Sequence, residues 1–87
     1  MIRTPEQDAD LKIFEADDGY VVYDRERDRV HFLNHTAVLI LELCNGKHTV
    51  SEIIAILGKS YGLDEPPETE VMDIINSFEQ EGLIKFS

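Results

Sequence analysis

The segment from Gly19 to Thr49 constrains the fold most strongly, because it joins a predicted β-hairpin to a predicted buried helix without a linker. Two β-branched and aromatic runs, Tyr20 to Tyr23 and Val30 to Leu33, flank a charged stretch that has the length of a hairpin end. Asn34 is typical of a helix N-cap, and the apolar run 37–44 follows at once. The second strand of this hairpin is therefore predicted to be held against a helical core.

A third strand is predicted ahead of the hairpin. Leu11 to Ala16 alternates along its length, and Asp17-Asp18-Gly19 follows as a tight turn in which glycine can adopt positive φ. With strands over 20–25 and 29–34, the chain is expected to form a three-stranded antiparallel meander. In sequence order its first and third strands would be the edges.

Three helices are predicted after the strands. The first runs from about His35 to Asn45, and Thr49-Val50-Ser51-Glu52 matches a capping box that begins the second. Gly62 ends the second helix, Pro67 lies in the first turn of the third, and Gly82 ends it. The fold class is therefore α+β with the order βββααα, similar to a winged helix-turn-helix but with the sheet ahead of the helices.

The length and composition predict one small domain. The chain has 87 residues, of which 43% are hydrophobic, so it can form a single core. Residues 1–10 show no periodicity and are predicted to be a flexible N-terminal segment, which leaves 11–87 as the domain. Residues 83–86, after the last helix, are expected to be extended.

The charge balance disfavours two classes of partner. The net charge is −10, from 18 acidic and 8 basic side chains. Nucleic acids and anionic membrane surfaces attract proteins through Lys and Arg, so neither is expected to bind this chain. No signal peptide and no apolar run of membrane-spanning length is evident, so a cytoplasmic protein is predicted.

No metal site, cofactor site or catalytic constellation is predicted. The soft metal ligands are His31, His35, His48 and Cys44, and they lack the closely paired spacing of a structural zinc site. Cys44 falls on the inner face of an apolar helix, where a thiol is inert, and no Gly-rich phosphate loop is present. The sequence therefore predicts a protein that is not an enzyme.

The third helix argues against DNA binding, although the helix arrangement resembles DNA-binding domains. Between residues 64 and 82 the chain carries seven acidic residues and no Lys or Arg. Such a helix is repelled by phosphate, so DNA binding is only a remote alternative.

The strand 29–34 lacks the charges that usually protect an edge strand from pairing. Val30 and Phe32 are predicted on one face, and His31 and Leu33 on the other. One interpretation is a small exposed apolar patch, which is common in small proteins. The other is β-augmentation, in which an extended peptide adds as a further strand. The pattern alone leaves both open.

An ordered set of short motifs resembles the small PqqD-like proteins, first known from pyrroloquinoline quinone (PQQ) biosynthesis. The set comprises Phe32-Leu33-Asn34, Thr36-Ala37, LELCNG over 41–46, Thr49 to Ile53, Glu70 to Ile74 and Glu81 to Ile84. The resemblance covers about residues 11–84. One departure is Asn45, where family members commonly have Asp.

The resemblance implies a non-catalytic domain, often called a RiPP recognition element, which binds the leader of a ribosomally made precursor peptide. It presents the leader to a modifying enzyme, typically a radical S-adenosylmethionine (SAM) enzyme, or to a leader peptidase in lasso-peptide pathways. In the family the leader pairs with the third strand and lies against the third helix. Carried onto this chain, the implied peptide-binding residues are Val30, His31, Phe32, Leu33, Val71, Met72, Ile75 and Phe78.

No cofactor is expected, because the sequence contains no cofactor-binding motif. A monomer or weak dimer is expected, since the same edge strand could pair with its own copy. The acidic third helix would suit a leader that contains Lys or Arg. The main alternative is a winged-helix subunit that docks permanently on a larger protein through the same apolar patch.

Overall fold

The computed structural model describes residues 3–8 and 10–86, and within these ranges the α+β prediction is confirmed. Met1, Ile2 and Ala9, part of the segment predicted to be flexible, lie outside the described residues, as does Ser87. The elements in order are β1 (Pro5–Gln7), β2 (Leu11–Ala16), β3 (Gly19–Asp24), β4 (Arg29–Leu33), α1 (His35–Leu43), α2 (Val50–Ser60), α3 (Glu68–Gln80) and β5 (Ile84–Phe86).

The predicted meander is present, with β3 in the centre and β2 and β4 at its edges. Val22 of β3 is fully buried and lies opposite His31 of β4, so these two residues share the face that packs on the helices. Val21 pairs with Phe32 on the other face, since successive side chains of a strand alternate. The meander therefore has one face on the core and one toward solvent.

One residue separates β4 from α1. Asn34 has extended backbone (φ −77°, ψ 174°), and its Oδ1 accepts a hydrogen bond of 2.8 Å from the Ala37 N–H. The predicted N-cap is thus confirmed. Ile40 and Leu41 of α1 are fully buried, so this cap fixes the end of β4 to the centre of the core.

The second helix begins as predicted, whereas Pro67, predicted in the first turn of the third helix, is instead its N-cap. The Glu52 N–H donates to Thr49 Oγ1 (3.2 Å) and the Thr49 N–H donates to Glu52 Oε1 (2.8 Å), which completes the capping box. Pro67 immediately precedes α3. The buried hydrophobic core comprises Val22, Ala37, Val38, Ile40, Leu41, Cys44, Ile53, Leu57, Val71, Ile75, Phe78, Leu83 and Ile84. None of the described helices combines the length and hydropathy needed to span a membrane.

A second sheet of two strands lies in part of the segment that the sequence predicts to be flexible. Pro5 pairs with Phe86 and Gln7 with Ile84, so β1 runs antiparallel to β5. Pro5 is buried, and the Gln7 side-chain amide donates a 3.1 Å hydrogen bond to the Leu41 carbonyl. A strand of three residues that begins with proline carries no alternation pattern, which explains why the sequence does not reveal it.

A buried carboxylate ties the β3–β4 hairpin to the end of α3. Asp24 is fully buried, and it accepts hydrogen bonds from the backbone N–H groups of Glu26 and Arg27 and from the Arg27 guanidinium (3.0, 3.2 and 3.2 Å). The same Arg27 group donates to the Gly82 carbonyl at 3.0 Å. Burial raises the pKa of Asp24, but the hydrogen bonds and charge of Arg27, with the Glu26 N–H, lower the pKa more, so it lies below its ordinary value.

We expect Gln7→Ala to lower the free energy of unfolding by about 1 kcal/mol, because it removes a partly buried side-chain hydrogen bond. Gln80→Ala, at an exposed position in α3, is the control and should change it by less than about 0.5 kcal/mol. Urea unfolding followed by circular dichroism measures both. Equal effects would show that β1 contributes no stability through this bond.

Acid should destabilise the protein through Asp24. Because the pKa of Asp24 is lower in the folded state, its contribution to stability is complete above the ordinary value of 3.8 and is lost as pH falls through the folded pKa. Asp24→Asn should be less stable than wild type at pH 7 and should lose less stability on acidification. Asp18→Asn, in an exposed turn, should keep the wild-type acid dependence in urea titrations from pH 7 to pH 2. A wild-type acid dependence in Asp24→Asn would contradict this assignment.

Candidate functional site

The outer edge of β4 combines unpaired backbone groups, among the described strands, with exposed apolar side chains. β4 pairs with β3 along one edge, and no described strand pairs with its other edge. Its one Lys or Arg is Arg29 at its start, and the next four residues carry no charge that would disfavour pairing with another strand. Val30 is 53% exposed and Phe32 is 80% exposed. An extended chain could therefore reach the free backbone groups of this edge.

The four predicted strand residues divide between the two faces of the sheet as expected. Leu33 is half-buried opposite Tyr20, and His31 is half-buried opposite the core residue Val22, so both point toward the helices. His31 Nε2 is buried and has no hydrogen-bond partner among the described residues. Val30 and Phe32 point toward solvent. His31 and Leu33 therefore lie on the helix side of the sheet, and Val30 and Phe32 lie on its solvent side.

Three of the four predicted helix residues belong to the core. Val71, Ile75 and Phe78 are only 1%, 2% and 4% exposed. They pack beneath α3, where a peptide could reach them only by displacing core side chains. The periodic spacing of these residues indicates a buried stripe, but it does not distinguish the core from the wall of a groove.

Met72, the fourth, lies on the side of α3 that faces away from β4. The Arg29 guanidinium meets the carboxylate of Glu81, the C-cap residue of α3, at 3.5 Å, so the flank of α3 in line with Glu81 faces β4. Met72 precedes Glu81 by nine positions, or about two and a half turns, which places it on the opposite side of the helix. Glu79, which shares a side with Met72, lines a cavity together with Val50 at the start of α2.

The flank of α3 toward β4 carries residues that the sequence-based site omits. At about 100° per residue, Glu70, Ile74 and Ser77 lie on the same side as Glu81. Ile74 is half-buried against the core, whereas Glu70 and Ser77 are exposed. The surface between this flank and β4, which the Arg29–Glu81 ion pair spans at one end, is called the β4–α3 groove below. Its helix wall was hidden in the sequence because Ile74 falls within the same apolar stripe as the core residues.

A cavity of about 410 Å³ lies among α1, the end of α2 and the start of α3. Its wall is mainly apolar, and the Thr36 and Tyr61 hydroxyl groups lie 3.1 Å apart beside it. Glu70 belongs to this wall and also to the groove flank of α3. The lining includes Ile40, Leu57, Tyr61, Leu63, Glu70 and Val71. The Arg29–Glu81 ion pair and Glu70 therefore mark the two ends of the α3 flank that faces β4.

Cys44 is the one cysteine of the chain, and its surroundings suit packing rather than chemistry. It is fully buried, and burial raises its pKa to about 12, so the reactive thiolate is strongly disfavoured at neutral pH. No cluster of three His, Cys, Asp or Glu side chains suitable for a metal ion occurs in the described ranges.

Two solved structures share this fold over nearly the whole chain. One is described as lasso peptide synthetase B1 complexed with the leader peptide; it has a TM-score of 0.72 and 18% identity and covers 93% of this chain and 96% of its own. The other is a solution NMR structure of the PqqD truncation of Methylobacterium extorquens PqqCD, described as a functional, stand-alone RiPP recognition element. Its TM-score is 0.64, with 28% identity over 97% of this chain and 88% of its own.

The family comparison agrees with the fold. No curated protein matches the chain significantly in sequence. The family model for coenzyme PQQ synthesis protein D (PqqD) matches residues 19–84, which extend from the start of β3 to the first residue of β5 and include β4 and α3. This match covers well over half of the sequence, and the chain belongs to the PqqD family.

Proposed function

We propose that this protein binds the leader segment of a ribosomally made precursor peptide as an added strand on β4. The observation that supports this most directly is the outer edge of β4 beside the β4–α3 groove: no described strand pairs with it, and it is uncharged from Val30 to Leu33. Family membership and the descriptions of the two similar structures, one with a leader peptide and one as a recognition element, support the identity of the ligand.

The proposed binding mode has two parts. Backbone hydrogen bonds to the edge of β4 supply affinity that depends little on sequence, as in other cases of strand addition. Alternate side chains of the peptide enter the groove beside Leu33, His31 and Ile74, where they bury apolar surface. Residues of the peptide beyond the end of β4 reach the cavity near Glu70.

The charge of the groove favours a peptide that contains Lys or Arg. Glu70 is exposed on the groove flank, and residues 64–82 contain no Lys or Arg that would neutralise it. The net charge of −10 attracts cationic segments at long range and repels acidic ones. This preference adds selectivity to the sequence-tolerant backbone pairing.

We further propose that the protein acts as a non-catalytic adaptor in the cytoplasm. It would hold the leader while a separate enzyme, a radical SAM enzyme or a leader peptidase, modifies or cleaves the rest of the precursor. The surface around β4 offers binding groups but no nucleophile with an adjacent base, which fits this division of work. The open edge also permits the peptide to enter from solvent as an extended chain.

NMR titration tests the site. The ¹⁵N-labelled protein is titrated with synthetic peptides that cover the N-terminal halves of short open reading frames beside its gene. Binding should shift the amide signals of residues 29–33 and of Glu70, Ile74 and Ser77. Shifts confined to the β1–β5 sheet or to α2 would contradict the proposed site.

Ser77→Arg should weaken peptide binding at least tenfold, because the longer side chain would occupy the β4–α3 groove. Asn76→Arg is the matched control. Asn76 is exposed and adjacent to Ser77 in α3, and its side chain points about 100° away from that of Ser77. The substitution adds the same charge. Isothermal titration calorimetry with the peptide identified by NMR measures both affinities. Equal weakening would indicate a general charge effect and would contradict a peptide in the groove.

A further inference from the structure

The solvent face of the meander carries a continuous apolar row across all three strands. Phe14 of β2 pairs with Val21 of β3, and Val21 pairs with Phe32 of β4. Phe14 is 54% exposed and Phe32 is 80% exposed, so the β4 end of the row is more exposed than its β2 end. Beside it, Val30 pairs with Tyr23. The row ends at the edge of β4, where no described strand continues it.

The two edges of this sheet differ in chemistry. β2 carries Lys12 and Glu15, both exposed, and charged side chains on an edge strand disfavour further pairing. β4 carries four successive uncharged residues, from Val30 to Leu33. A strand that joins the sheet is therefore expected at β4, and its outward side chains would become direct neighbours of Val30 and Phe32.

We infer that the bound peptide is contacted on both faces of the sheet, with one outward apolar side chain packed on Phe32 while its sequence neighbours enter the β4–α3 groove. This inference rests on the proposed function and specifies the ligand further. Direct cross-strand neighbours lie about 4.5–5.5 Å apart at Cβ, close enough for an aromatic or β-branched side chain to cover the Phe32 ring. The ligand is then an extended segment with about four successive apolar residues opposite β4.

The bound peptide is expected to have apolar side chains on both of its faces, unlike a strand with one face in solvent. A strand with one solvated face alternates apolar and polar residues. Here the outward positions also gain by being apolar, because no described strand lies beside Val30 and Phe32 on the outer edge of β4. The peptide is therefore expected to lack the alternating pattern at the positions opposite Val30 to Leu33.

Two other occupants of the solvent face make different predictions. A folded protein that docks flat on this face would contact Phe14 as well as Phe32, because both side chains are exposed in one row. A second copy of this chain, joined edge to edge through β4, would compete with the peptide. The difference between β2 and β4 favours a single added strand.

The probe is a phage-displayed library of random twelve-residue peptides selected on the full-length protein, with one enriched peptide synthesised for calorimetry. Enriched sequences should share a run of apolar residues without strict alternation. Phe32→Ala should weaken binding by roughly three- to tenfold, in line with the measured worth of cross-strand aromatic contacts. Phe14→Ala, the same truncation in the same row, should change affinity by less than about twofold, because Phe14 lies two strands away from β4.

A double-mutant cycle separates direct contact from any effect of Phe32→Ala on folding. The outward apolar residue of the peptide is identified by alanine scanning and replaced by alanine, and this variant is titrated against wild type and Phe32→Ala. Coupling between the two truncations is expected, and additive losses would overturn the inference.

The remaining outcomes also decide between the occupants. Equal losses in Phe14→Ala and Phe32→Ala would assign the face to a docked protein, and peptide binding that weakens at high protein concentration would assign it to a second copy; either result overturns the inference. Peptide binding that responds to Ser77→Arg but not to Phe32→Ala would overturn the two-faced contact while leaving the proposed function intact. If neither Ser77→Arg nor Phe32→Ala weakens peptide binding, both the two-faced contact and the proposed function are overturned.

Discussion

The one-residue joint between β4 and α1 determines where every part of the candidate site can lie. Asn34 leaves β4 in an extended conformation and caps α1 at the same position, and α1 is buried in the core. β4 can therefore neither slide nor rotate without moving the core helix. A shift of one residue in its register would point Phe32 inward and His31 outward, since side chains alternate along a strand.

The neighbouring strand also restricts the end of β4. Gly19, at the start of β3, lies so close to β4 that a Cβ atom there would stand 2.7 Å from the Leu33 carbonyl oxygen. Its φ of 151° is also one that side-chain-bearing residues rarely adopt. The hairpin before β3 and the helix after β4 thus meet at the end of the edge strand. This tight packing fixes the position of the C-terminal end of β4.

Much of the fold was predictable because its signals are local. The cap at Asn34, the box at Thr49 and Glu52, and the alternation in β2 each depend on residues within one or two turns of one another. β1 was not predictable, since its three residues are stabilised by β5, almost eighty positions away in sequence. The same distinction applies to the site: the strand half follows from local pattern, whereas the groove side of α3 depends on the long-range contact between Arg29 and Glu81.

The hydrophobic core and the candidate site use different residues of α3. Val71, Ile75 and Phe78 stabilise the domain from the inner side of α3, and the groove flank uses neighbouring positions that are partly or fully exposed. Substitutions at the exposed Glu70 and Ser77 are therefore expected to leave the fold intact. The same applies to Val30 and Phe32, whose side chains point away from the core.

The pairing of β1 with β5 places the two ends of the described chain side by side. Pro5 lies opposite Phe86, and Arg3 stacks its guanidinium 5.1 Å from the Phe86 ring centre. Both residues meet near Glu79, on the side of α3 away from β4. A short engineered linker could therefore join the ends into a circle, and the chain could be reopened at the exposed Lys47 between α1 and α2, outside the groove and the cavity. The domain is thus suited to circular permutation and to genetic fusion through either end.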